Sequence, residues 1–393
     1  MKIAEVNMVD YGSTGNIMFH IAECAREHGH EVRTFSKKWK KQKARNEFHT
    51  FYGSTLENGL HVIASRAIGF QGMFSYFGTK QLVSELKQFK PDILHLHNLH
   101  DSSTCLPVLF DYIKEANVKT VWTLHDCWAF TGQCPCFTAV KCNKWINGCH
   151  NCPQRAALFP FDCSKVMWKE KKKLFARGVD LTLVTPSEWL KGLVEMSFLK
   201  NHPVYVINNG IDLNVFHPVE VKDKCDKVVL GVAMGWGERK GLDIFLRLAE
   251  RLPDSYQIVM VGTDDEVDKL LPKRITSIHR THNQIELAKI YSGADVFVNP
   301  TREDNFPTTN IESLASGTPV ITFKTGGSPE IIDETCGSVV ECDDTEGLVK
   351  EIIRVCETHP YSREACVKRS TLFNNRDRFG EYIKLYENIQ VRV

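Results

Sequence analysis

Near its amino terminus the chain reads Ile3-Ala-Glu-Val-Asn-Met-Val9, a largely apolar run, and continues with Asp10-Tyr-Gly-Ser-Thr-Gly-Asn16. Apolar residues then recur every three to four positions as far as His28-Gly29. The first run predicts a buried strand, the second segment a glycine loop, and the periodic segment a helix that ends at a glycine. A strand, a glycine loop and a helix in this order open a doubly wound α/β domain.

The same alternation continues along the chain. Further apolar runs predict buried strands at Asp92–His97, Thr120–Leu124, Leu181–Val184 and Val204–Ile207. In a second round the predicted strands are Val228–Ala233, Gln257–Val261, Val296–Asn299 and Val320–Phe323, and the predicted helices are Leu242–Leu252, Gln284–Tyr291 and Asn310–Ala315. Short apolar strands that alternate with amphipathic helices predict parallel sheets covered on both faces.

The length of 393 residues is too great for one ordinary core, which predicts two domains. We place the boundary between the two rounds, at residues 208–212 and the polar run Val219–Lys227 that follows. The predicted amino-terminal domain is 1–212 and the carboxyl-terminal domain 213–375, and residues 376–393 include an amphipathic helix, Arg376–Ile389. Ligands bind outside the carboxyl ends of strands in open α/β sheets, so we expect the two domains to face a common cleft.

The composition is that of an ordinary soluble protein, with 42% hydrophobic and 25% charged residues. A formal net charge of +1 argues against a protein that binds nucleic acid through a broad basic surface. The sequence shows no secretory signal and no apolar run long enough to span a bilayer. Together with 14 cysteines, these features predict a reduced, cytoplasmic protein.

Two carboxylates, Asp304 and Glu312, lie eight residues apart, after a predicted strand and in the first turn of the next predicted helix. Carboxylates accept strong hydrogen bonds from the hydroxyls of sugars and riboses. The helix start between them offers backbone N–H groups to a phosphate, which makes Asn305, Phe306, Pro307 and Thr308 candidate ligand-binding residues. Alternatively, Thr309-Asn-Ile-Glu312 is a capping box and Asp304 is a turn residue.

With the following Gly317-Thr-Pro-Val-Ile321 and Gly326-Gly-Ser-Pro-Glu330, this stretch resembles the glutamate-x7-glutamate signature of retaining glycosyltransferases of family four. The resemblance covers nearly the whole chain and implies the GT-B fold, with two Rossmann-like domains. It also implies that the first acid contacts the donor sugar and the second the nucleotide ribose. Position 304 carries Asp rather than Glu, so either the shorter side chain suits the donor or Glu303 contributes.

Two cations, Arg239 and Lys240, follow the first predicted strand of the second domain. The resemblance implies that Lys240, and with it Arg239, binds the donor diphosphate. Many family members have an arginine where this chain has Gly235, and we expect Arg239 to substitute for it. The sequence has no Asp-x-Asp motif, so we expect fixed cations to stabilise the leaving group without a metal cofactor. The alternative is a solvated surface pair.

In the first domain, Gly12 and Gly15 would let a ligand approach backbone N–H groups at a helix start. The resemblance places this loop over the donor phosphates or beside the acceptor. His125 ends a predicted strand before Asp126, and the family has a histidine here that reaches the donor sugar near the reacting carbon. The alternative is a structural hydrogen bonder. His97, which ends another predicted strand, is a candidate acceptor-side residue.

Seven cysteines fall between Cys127 and Cys163. Their spacing could build a structural zinc site from Cys134, Cys142, Cys149 and Cys152. Alternatively, they are reduced thiols packed as small apolar groups. Similar cysteine-rich loops accompany His-Asp-x-Trp-Ala-Phe in family members that assemble surface polysaccharides.

Two runs of basic residues, at 37–45 and 169–177, could bind anionic lipid headgroups in the acceptor domain. A solvated protein face is the alternative.

These features together predict a retaining, metal-independent glycosyltransferase. Its expected substrates are a nucleotide-diphosphate sugar, with uracil as the family's common base, and a saccharide acceptor, lipid-linked, in capsule, lipopolysaccharide or exopolysaccharide assembly at the inner face of the membrane.

Rival interpretations are an epimerase or hydrolase of the same fold and a non-enzymatic module that binds zinc or nucleic acid. A nicotinamide oxidoreductase is disfavoured because neither first strand–helix turn contains the dinucleotide fingerprint.

Overall fold

The computed structural model describes residues 1–39, 43–100, 103–154, 162–175, 178–221 and 227–391. The chain divides into two compact units, one formed by Met1–Ile207 with Arg378–Val393 and the other by Asn208–Asp377. Part of the polar run that we used to place the boundary, residues 222–226, lies outside the described residues.

The described part of the first unit contains a seven-stranded parallel sheet. Its strands are β1 Lys2–Asn7, β2 Glu31–Lys37, β3 His49–Tyr52, β4 Ile93–Leu96, β5 Lys119–Thr123, β6 Leu181–Thr185 and β7 Val204–Val206. They lie side by side in the order β3-β2-β1-β4-β5-β6-β7, and every neighbouring pair is parallel. The helices of this unit are α1 Gly12–Glu27, α2 Thr55–Ile68, α3 Tyr76–Phe89, α4 Leu106–Ala116, α5 Ser164–Phe175 and α6 Glu188–Met196.

The second unit has a six-stranded sheet among its described residues, in the order β10-β9-β8-β11-β12-β13. The strands are β8 Lys227–Val232, β9 Tyr256–Val261, β10 Ile275–Ile278, β11 Val296–Asn299, β12 Val320–Phe323 and β13 Gly337–Val340. The helices that follow them are α7 Leu242–Arg251, α8 Asp265–Asp268, α9 Gln284–Ser292, α10 Thr308–Ala315, α11 Ser328–Ile331, α12 Thr345–Thr358 and α13 Arg363–Ser370, and then α14 Asn375–Val391 leads into the first unit.

The prediction of two doubly wound parallel sheets is confirmed, and apart from the first helix the predicted strands and helices have bounds within two residues of the observed ones. Helix α1 begins at Gly12, inside the segment predicted as a glycine loop, rather than after Asn16. The first strand stops at Asn7 rather than Val9 because the Asn7 side chain turns the chain: its amide nitrogen donates to the Val9 carbonyl at 3.0 Å, and its oxygen accepts from the Met8 N–H at 2.9 Å.

The terminal helix α14 belongs to the core of the first unit. Its residues Phe379, Tyr382, Ile383 and Tyr386 share a hydrophobic cluster with apolar residues of β1, β4, β5 and α1. A fully buried side chain of this size stabilises a fold by roughly 1.5–3 kcal/mol, so this contact holds the end of the chain on the first sheet.

In each sheet the strand order reverses once, between β1 and β4 in the first unit and between β8 and β11 in the second. The loops after these strands diverge towards opposite faces of the sheet, which opens a crevice at its carboxyl edge. Among the described residues, the helices are too short or too polar to cross a bilayer.

Candidate functional site

The crevice of the second unit brings Lys240 and Asp304 together. Lys240 follows β8, Asp304 follows β11, and the Lys240 Nζ lies 2.5 Å from Asp304 Oδ2. Both side chains remain partly accessible, at 19% and 20% exposure. A cation and a carboxylate are therefore available side by side at the point where the strand order reverses.

Two glycines make this approach possible. Gly241 has φ +78°, and a Cβ there would lie 2.6 Å from the Pro300 carbonyl oxygen, so any side chain would push the Lys240 loop away from the loop after β11. Gly326 has φ +55°, and a Cβ there would lie 1.7 Å from the Asp304 carbonyl oxygen. The Gly327 N–H donates to the same oxygen at 3.2 Å. Gly241 thus lets the Lys240 loop pack on Pro300, and the Gly326–Gly327 segment holds the Asp304 backbone in place.

Arg302 is a residue of this site that the sequence did not reveal. Its guanidinium forms two parallel hydrogen bonds of 2.8 Å with Asp243 of α7 and a third of 2.7 Å, from Nε, with Asp343. These bonds lower the pKa of Asp243. Bidentate pairs of this kind fix geometry as well as energy, so Arg302 anchors the loop that carries Asp304.

Arg239 lies on the surface beside this pair, and its Nη1 donates to the Glu303 carbonyl oxygen at 3.2 Å. The Glu303 side chain is buried. Of the two acids considered for position 304, Asp304 is therefore the one that lies against the cation. Arg239 is exposed enough to meet a ligand.

Glu312 does not form the capping box. Helix α10 begins at Thr308, with Pro307 as the amino-terminal cap, so Glu312 lies in the second turn rather than the first. The fixed φ of proline, here −71°, starts the helix earlier than the threonine pattern suggested. Glu312 instead accepts hydrogen bonds from the Tyr291 hydroxyl, at 3.2 Å, and from the Thr308 side chain. Burial raises its pKa from 4.5 to about 7.

The segment between the two acids is only partly accessible. Phe306 and Pro307 are buried, and Phe306 packs edge-on against Phe373 at 5.7 Å. Asn305 and Thr308 are half-buried. The cap makes no side-chain hydrogen bond, so the N–H groups of the first turn of α10 suit an anion.

In the first unit the two candidate glycines have different roles. Gly12 is the first residue of α1, has φ +69° and would place a Cβ in open space. A Cβ on Gly15 would lie 2.7 Å from the Asp10 carbonyl carbon, so Gly15 is needed for packing of the helix on the loop. Of the two, Gly12 is the one beside free space.

His125 is half-buried at the end of β5, and burial lowers its pKa to about 4, which keeps it neutral. The charge of the neighbouring Asp126 opposes this lowering of the His125 pKa. The Asp126 carboxylate binds His100 Nε2 at 2.8 Å and the Trp128 N–H at 2.8 Å. His97 is fully buried, so it cannot be an acceptor contact; its Nδ1 lies 3.1 Å from His125 Nε2.

The four candidate zinc ligands Cys134, Cys142, Cys149 and Cys152 line one small cavity beside Trp145, and their thiols are reduced. A hydrogen bond with the Cys134 thiol lowers the pKa of Cys152. No three of the four sulfurs lie within 4.8 Å of one another; among the described residues only Glu5, His95 and His97 bring three possible ligand atoms that close together.

Most described cations of the two basic runs are exposed, among them Lys38, Lys43 and Lys172. Lys37, in the first run, and Lys171, in the second, are buried. The Lys171 ammonium donates to the carbonyl oxygens of Trp128 and Thr131 at 2.7 and 3.2 Å. Helical periodicity explains this position, since Lys171 lies on the same face of α5 as the buried Trp168 and Phe175. Residues 40–42 and 176–177 of the runs lie outside the described residues.

Comparison with known families gives two matches. A model described as Glycosyltransferase Family 4 matches residues 14–215, more than half of the chain. A model described as Glycosyl transferases group 1 matches residues 226–358.

Individual relatives are distant. Glycogen synthase 1 of Synechocystis is 23% identical over 295 residues, which are 65% of this chain and 58% of that protein. The sulfoquinovosyl transferase SQD2 of Arabidopsis thaliana is 24% identical over 265 residues, 64% of this chain and 46% of that protein. The putative colanic acid biosynthesis glycosyl transferase WcaC of Escherichia coli is 24% identical over 321 residues, 76% of this chain and 77% of that protein.

Two solved structures share the fold over their whole length. Sucrose-phosphate synthase from Thermosynechococcus elongatus superposes with a TM-score of 0.73 at 18% identity, covering 99% of this chain and 98% of that one. Anabaena HepE in complex with UDP-glucose gives a TM-score of 0.67 at 14% identity, covering 99% and 100%. The predicted GT-B fold class is thereby confirmed.

Proposed function

The chain belongs to glycosyltransferase family 4, and we propose that it transfers a sugar from a nucleoside diphosphate sugar to a saccharide acceptor with retention of the anomeric configuration. The observation that carries this proposal is the 2.5 Å pair of Lys240 and Asp304 at the crevice of the second sheet. A diphosphate would take over the cation, and the freed carboxylate would accept from a sugar hydroxyl.

In the proposed reaction an acceptor hydroxyl oxygen forms a bond to the anomeric carbon while the bond from that carbon to the diphosphate breaks. The proton of the hydroxyl ends on the leaving diphosphate. Lys240 and the exposed Arg239 stabilise the charge that develops there, and the first-turn N–H groups of α10 add fixed dipoles. Asp304 and Glu312 orient the sugar and the ribose, and His125 contributes a hydrogen bond near the anomeric carbon. These fixed cations support a transfer that needs no divalent ion.

The identity of the substrates is part of the proposal. UDP-glucose is bound by a structural neighbour of the same fold, and WcaC carries a name from colanic acid biosynthesis. We therefore infer a uridine diphosphate sugar as donor, and as acceptor a lipid-linked saccharide of surface polysaccharide assembly at the cytoplasmic face of the membrane.

The test is a transfer assay with UDP-sugars and a saccharide acceptor, with the product anomer read by NMR. Lys240→Ala should lower kcat by roughly a hundredfold, the usual loss for one oriented electrostatic group. Lys350→Ala removes an exposed lysine of α12 and should leave kcat within about twofold. Inversion of the anomer, sugar release or epimerisation without transfer, or a Lys240→Ala variant with unchanged kcat would each overturn the proposal.

An exposed apolar stripe supports the proposed membrane contact. Leu56, Leu60 and Ile63 lie on the outer face of α2, and Phe77 at the start of α3 is 79% exposed. The Glu57 carboxylate accepts from the Phe77 N–H at 2.8 Å, which places the two helix starts side by side.

Exposed cations flank this stripe. Lys80 lies over the Tyr76 ring at 5.4 Å, and the Lys38 carbonyl accepts from Asn58 of α2 at 2.6 Å. Apolar side chains flanked by lysines are typical of a surface that rests on anionic lipid.

Cosedimentation with phosphatidylglycerol vesicles tests this contact. Leu60→Asp and Phe77→Asp should each lower binding about tenfold, because each removes an apolar anchor and adds a repelled charge. Leu270→Asp alters a leucine of the second unit that is equally exposed, at 60%, and should bind like the unchanged protein. Equal loss in all three variants, or equal binding to neutral vesicles, would contradict a lipid-binding stripe.

We also propose that the four thiols of the cysteine loop close around a structural zinc ion. The Gly132 N–H already donates to the Cys149 sulfur at 3.1 Å, as outer hydrogen bonds to thiolate ligands do. Purified protein should contain one zinc per chain. Cys142→Ser and Cys152→Ser should lose it and unfold at lower temperature, whereas Cys136→Ser, in the same loop, should keep it. Metal-free protein with unchanged stability would identify the thiols as packed apolar groups.

A further inference from the structure

Polar side chains occupy the interior of the first sheet. Glu5 of β1 and His95 of β4 lie opposite each other in the strand register, and His97 lies one residue beyond the end of β4. All three side chains are fully buried. Polar groups without water destabilise a fold unless they are hydrogen-bonded, so their partners decide what this cluster does.

The first set of partners forms a line towards the candidate site. Glu5 Oε2 lies 3.1 Å from His97 Nε2, and His97 Nδ1 lies 3.1 Å from His125 Nε2. The two imidazole rings are stacked, with an interplanar angle of 16°. A continuous hydrogen-bonded chain therefore leads from a buried carboxyl group to the half-buried histidine at the end of β5.

His95 belongs to a separate branch. The Thr123 hydroxyl donates a hydrogen bond to the Tyr382 oxygen at 3.1 Å. The Thr123 oxygen is therefore the acceptor in its 2.8 Å bond with His95 Nε2. His95 Nδ1 then accepts from the Tyr386 hydroxyl at 2.7 Å. This arrangement fixes one neutral tautomer of His95, since each ring nitrogen has a single possible role.

The same side chains could be considered as metal ligands, because one ligand atom each of Glu5, His95 and His97 lie within 4.8 Å of one another. Both ring nitrogens of His95 and both of His97 are, however, engaged in hydrogen bonds within the protein. The cluster is therefore built as a hydrogen-bond network.

The direction of the chain follows from the protonation state of Glu5. Glu5 Oε1 is buried and has no hydrogen-bond partner among the described residues, a setting that disfavours a charged carboxylate, and burial raises the pKa of Glu5 well above its usual value. Both observations favour a neutral carboxyl group that donates to His97 Nε2. His97 then carries its proton on Nδ1 and donates to His125 Nε2. His125 is left with its own proton on Nδ1.

We propose that Glu5 and His97 are positioning residues that hold the proton of His125 on Nδ1 and so fix the tautomer that His125 presents at the crevice of the first sheet. The inference rests on the proposed function, because it names how that site is set. Glu5 acts through His97 and does not touch the substrate.

Ionisation of Glu5 would reverse the chain. The carboxylate would accept from His97 Nε2–H, His97 Nδ1 would accept from His125 Nε2–H, and His125 Nδ1 would lose its proton. The groups that face Glu5 are the two histidines of the β4 segment, with His125 behind them, and Tyr382 and Tyr386 of α14.

Helix α1 packs Ile17 and Ile21 against the same core. The thiol of Cys24, on the same helix, contributes to the raised pKa of Tyr386. Burial raises the pKa of Tyr382 and Tyr386, so both hydroxyls stay neutral over the pH range in which Glu5 would ionise. Loss of the Glu5 proton at alkaline pH is thus the change that reverses the direction of the hydrogen bonds.

Two substitutions of Glu5 separate this role from a structural one. Glu5→Gln keeps an N–H that donates to His97 Nε2 but cannot ionise, so kcat should stay within about twofold and the alkaline fall of the pH profile should disappear. Glu5→Leu fills the same space without a donor, and kcat should fall on the order of a hundredfold, as for loss of one oriented donor. A Glu5→Gln variant as slow as Glu5→Leu, or one that keeps the alkaline fall, would refute the proposal.

Nitrogen NMR of histidine-labelled protein without substrate gives a second readout, with the His125 signals assigned by their loss in His125→Asn. The unchanged protein and Glu5→Gln should show His125 protonated on Nδ1, and Glu5→Leu a mixture of tautomers. An Nε2-protonated His125 in the unchanged protein would overturn the positioning role. A protein with the expected tautomer but no transfer activity would instead overturn the proposed function.

Discussion

Donor binding should depend on pH through Glu312. Burial raises the pKa of this carboxyl group from 4.5 to about 7, so at pH 6 most of the free protein holds it protonated. Ribose hydroxyls donate more strongly to the ionised form. If Glu312 binds the ribose as proposed, donor binding has to release a proton, and donor affinity rises as the pH rises through 7.

The size of the effect follows from the pKa. One pH unit below it, about one molecule in eleven is ready to bind, so the apparent affinity at pH 6 is roughly tenfold lower than at pH 8. That factor corresponds to about 1.4 kcal/mol. Above pH 8 the affinity should no longer change, because the carboxyl group is then ionised in the free protein as well.

Isothermal titration with UDP-glucose between pH 5.5 and 8, in two buffers of different protonation enthalpy, measures both the affinity and the released proton. A nucleotide sugar is preferable to UDP, whose terminal phosphate itself titrates near pH 6. Glu312→Gln should bind weakly at every pH, and Glu250→Gln, on the exposed face of α7, should behave like the unchanged protein. Constant affinity between pH 6 and 8, or a Glu312→Gln variant that keeps the slope, would refute this role.

Three predictions concern stability, each measured by urea unfolding. Because the pKa of Glu312 is raised on folding, this group adds stability that is fully present below about pH 4.5 and is lost as the pH rises towards 7, a change of up to about 3 kcal/mol in the free energy of unfolding. Glu312→Gln should abolish this change, and a variant whose free energy of unfolding keeps the same dependence on pH would contradict the burial of that carboxyl group. Gly326→Ala should destabilise the fold by about 2 kcal/mol or more, because the new Cβ would overlap the Asp304 carbonyl oxygen. Gly59→Ala, in open space within α2, should stabilise the fold by about 1 kcal/mol. Equal effects of the two substitutions would contradict the close contact of Gly326 with Asp304. Arg302→Leu should cost about 2 kcal/mol, because it removes the bidentate partner of Asp243, which keeps only its 3.3 Å pair with Arg247, and the partner of Asp343. Arg251→Leu, which removes an exposed pair with Glu346, should cost less than about 1 kcal/mol, and similar losses would show that Arg302 does not anchor its loop.

The central strands were predictable because parallel strands buried on both faces are continuous apolar runs. Strand β11, Val296–Asn299, and strand β12, Val320–Phe323, have the predicted bounds for this reason. Strand β2, Glu31–Lys37, mixes polar and apolar residues, and the edge strand β3, His49–Tyr52, has only four residues. Neither carries enough apolar sequence to stand out, so both were missed.

The site in the second unit was predictable where local order determines it. Lys240 and Asp304 each follow a strand, and loops after parallel strands share one edge of a sheet. Arg302 was not predictable, because its partners Asp243 and Asp343 are 59 and 41 residues away in the chain. The capping box was wrong for a local reason: Pro307 starts the helix before the threonine that the motif requires.

The chemistry of each unit is located by strand order rather than by motif. In the second unit Lys240 follows β8 and Asp304 follows β11, the two strands on either side of the reversal. In the first unit the reversal lies between β1, which carries Glu5, and β4, which leads to His97, although these residues are 92 positions apart. Sequence alternation alone could place His95 and His97 on one face, but only the pairing of β1 with β4 puts a carboxyl group opposite them. Because that pairing is the point where the covering helices change sides, a polar line buried there emerges at the crevice, where a ligand can use it.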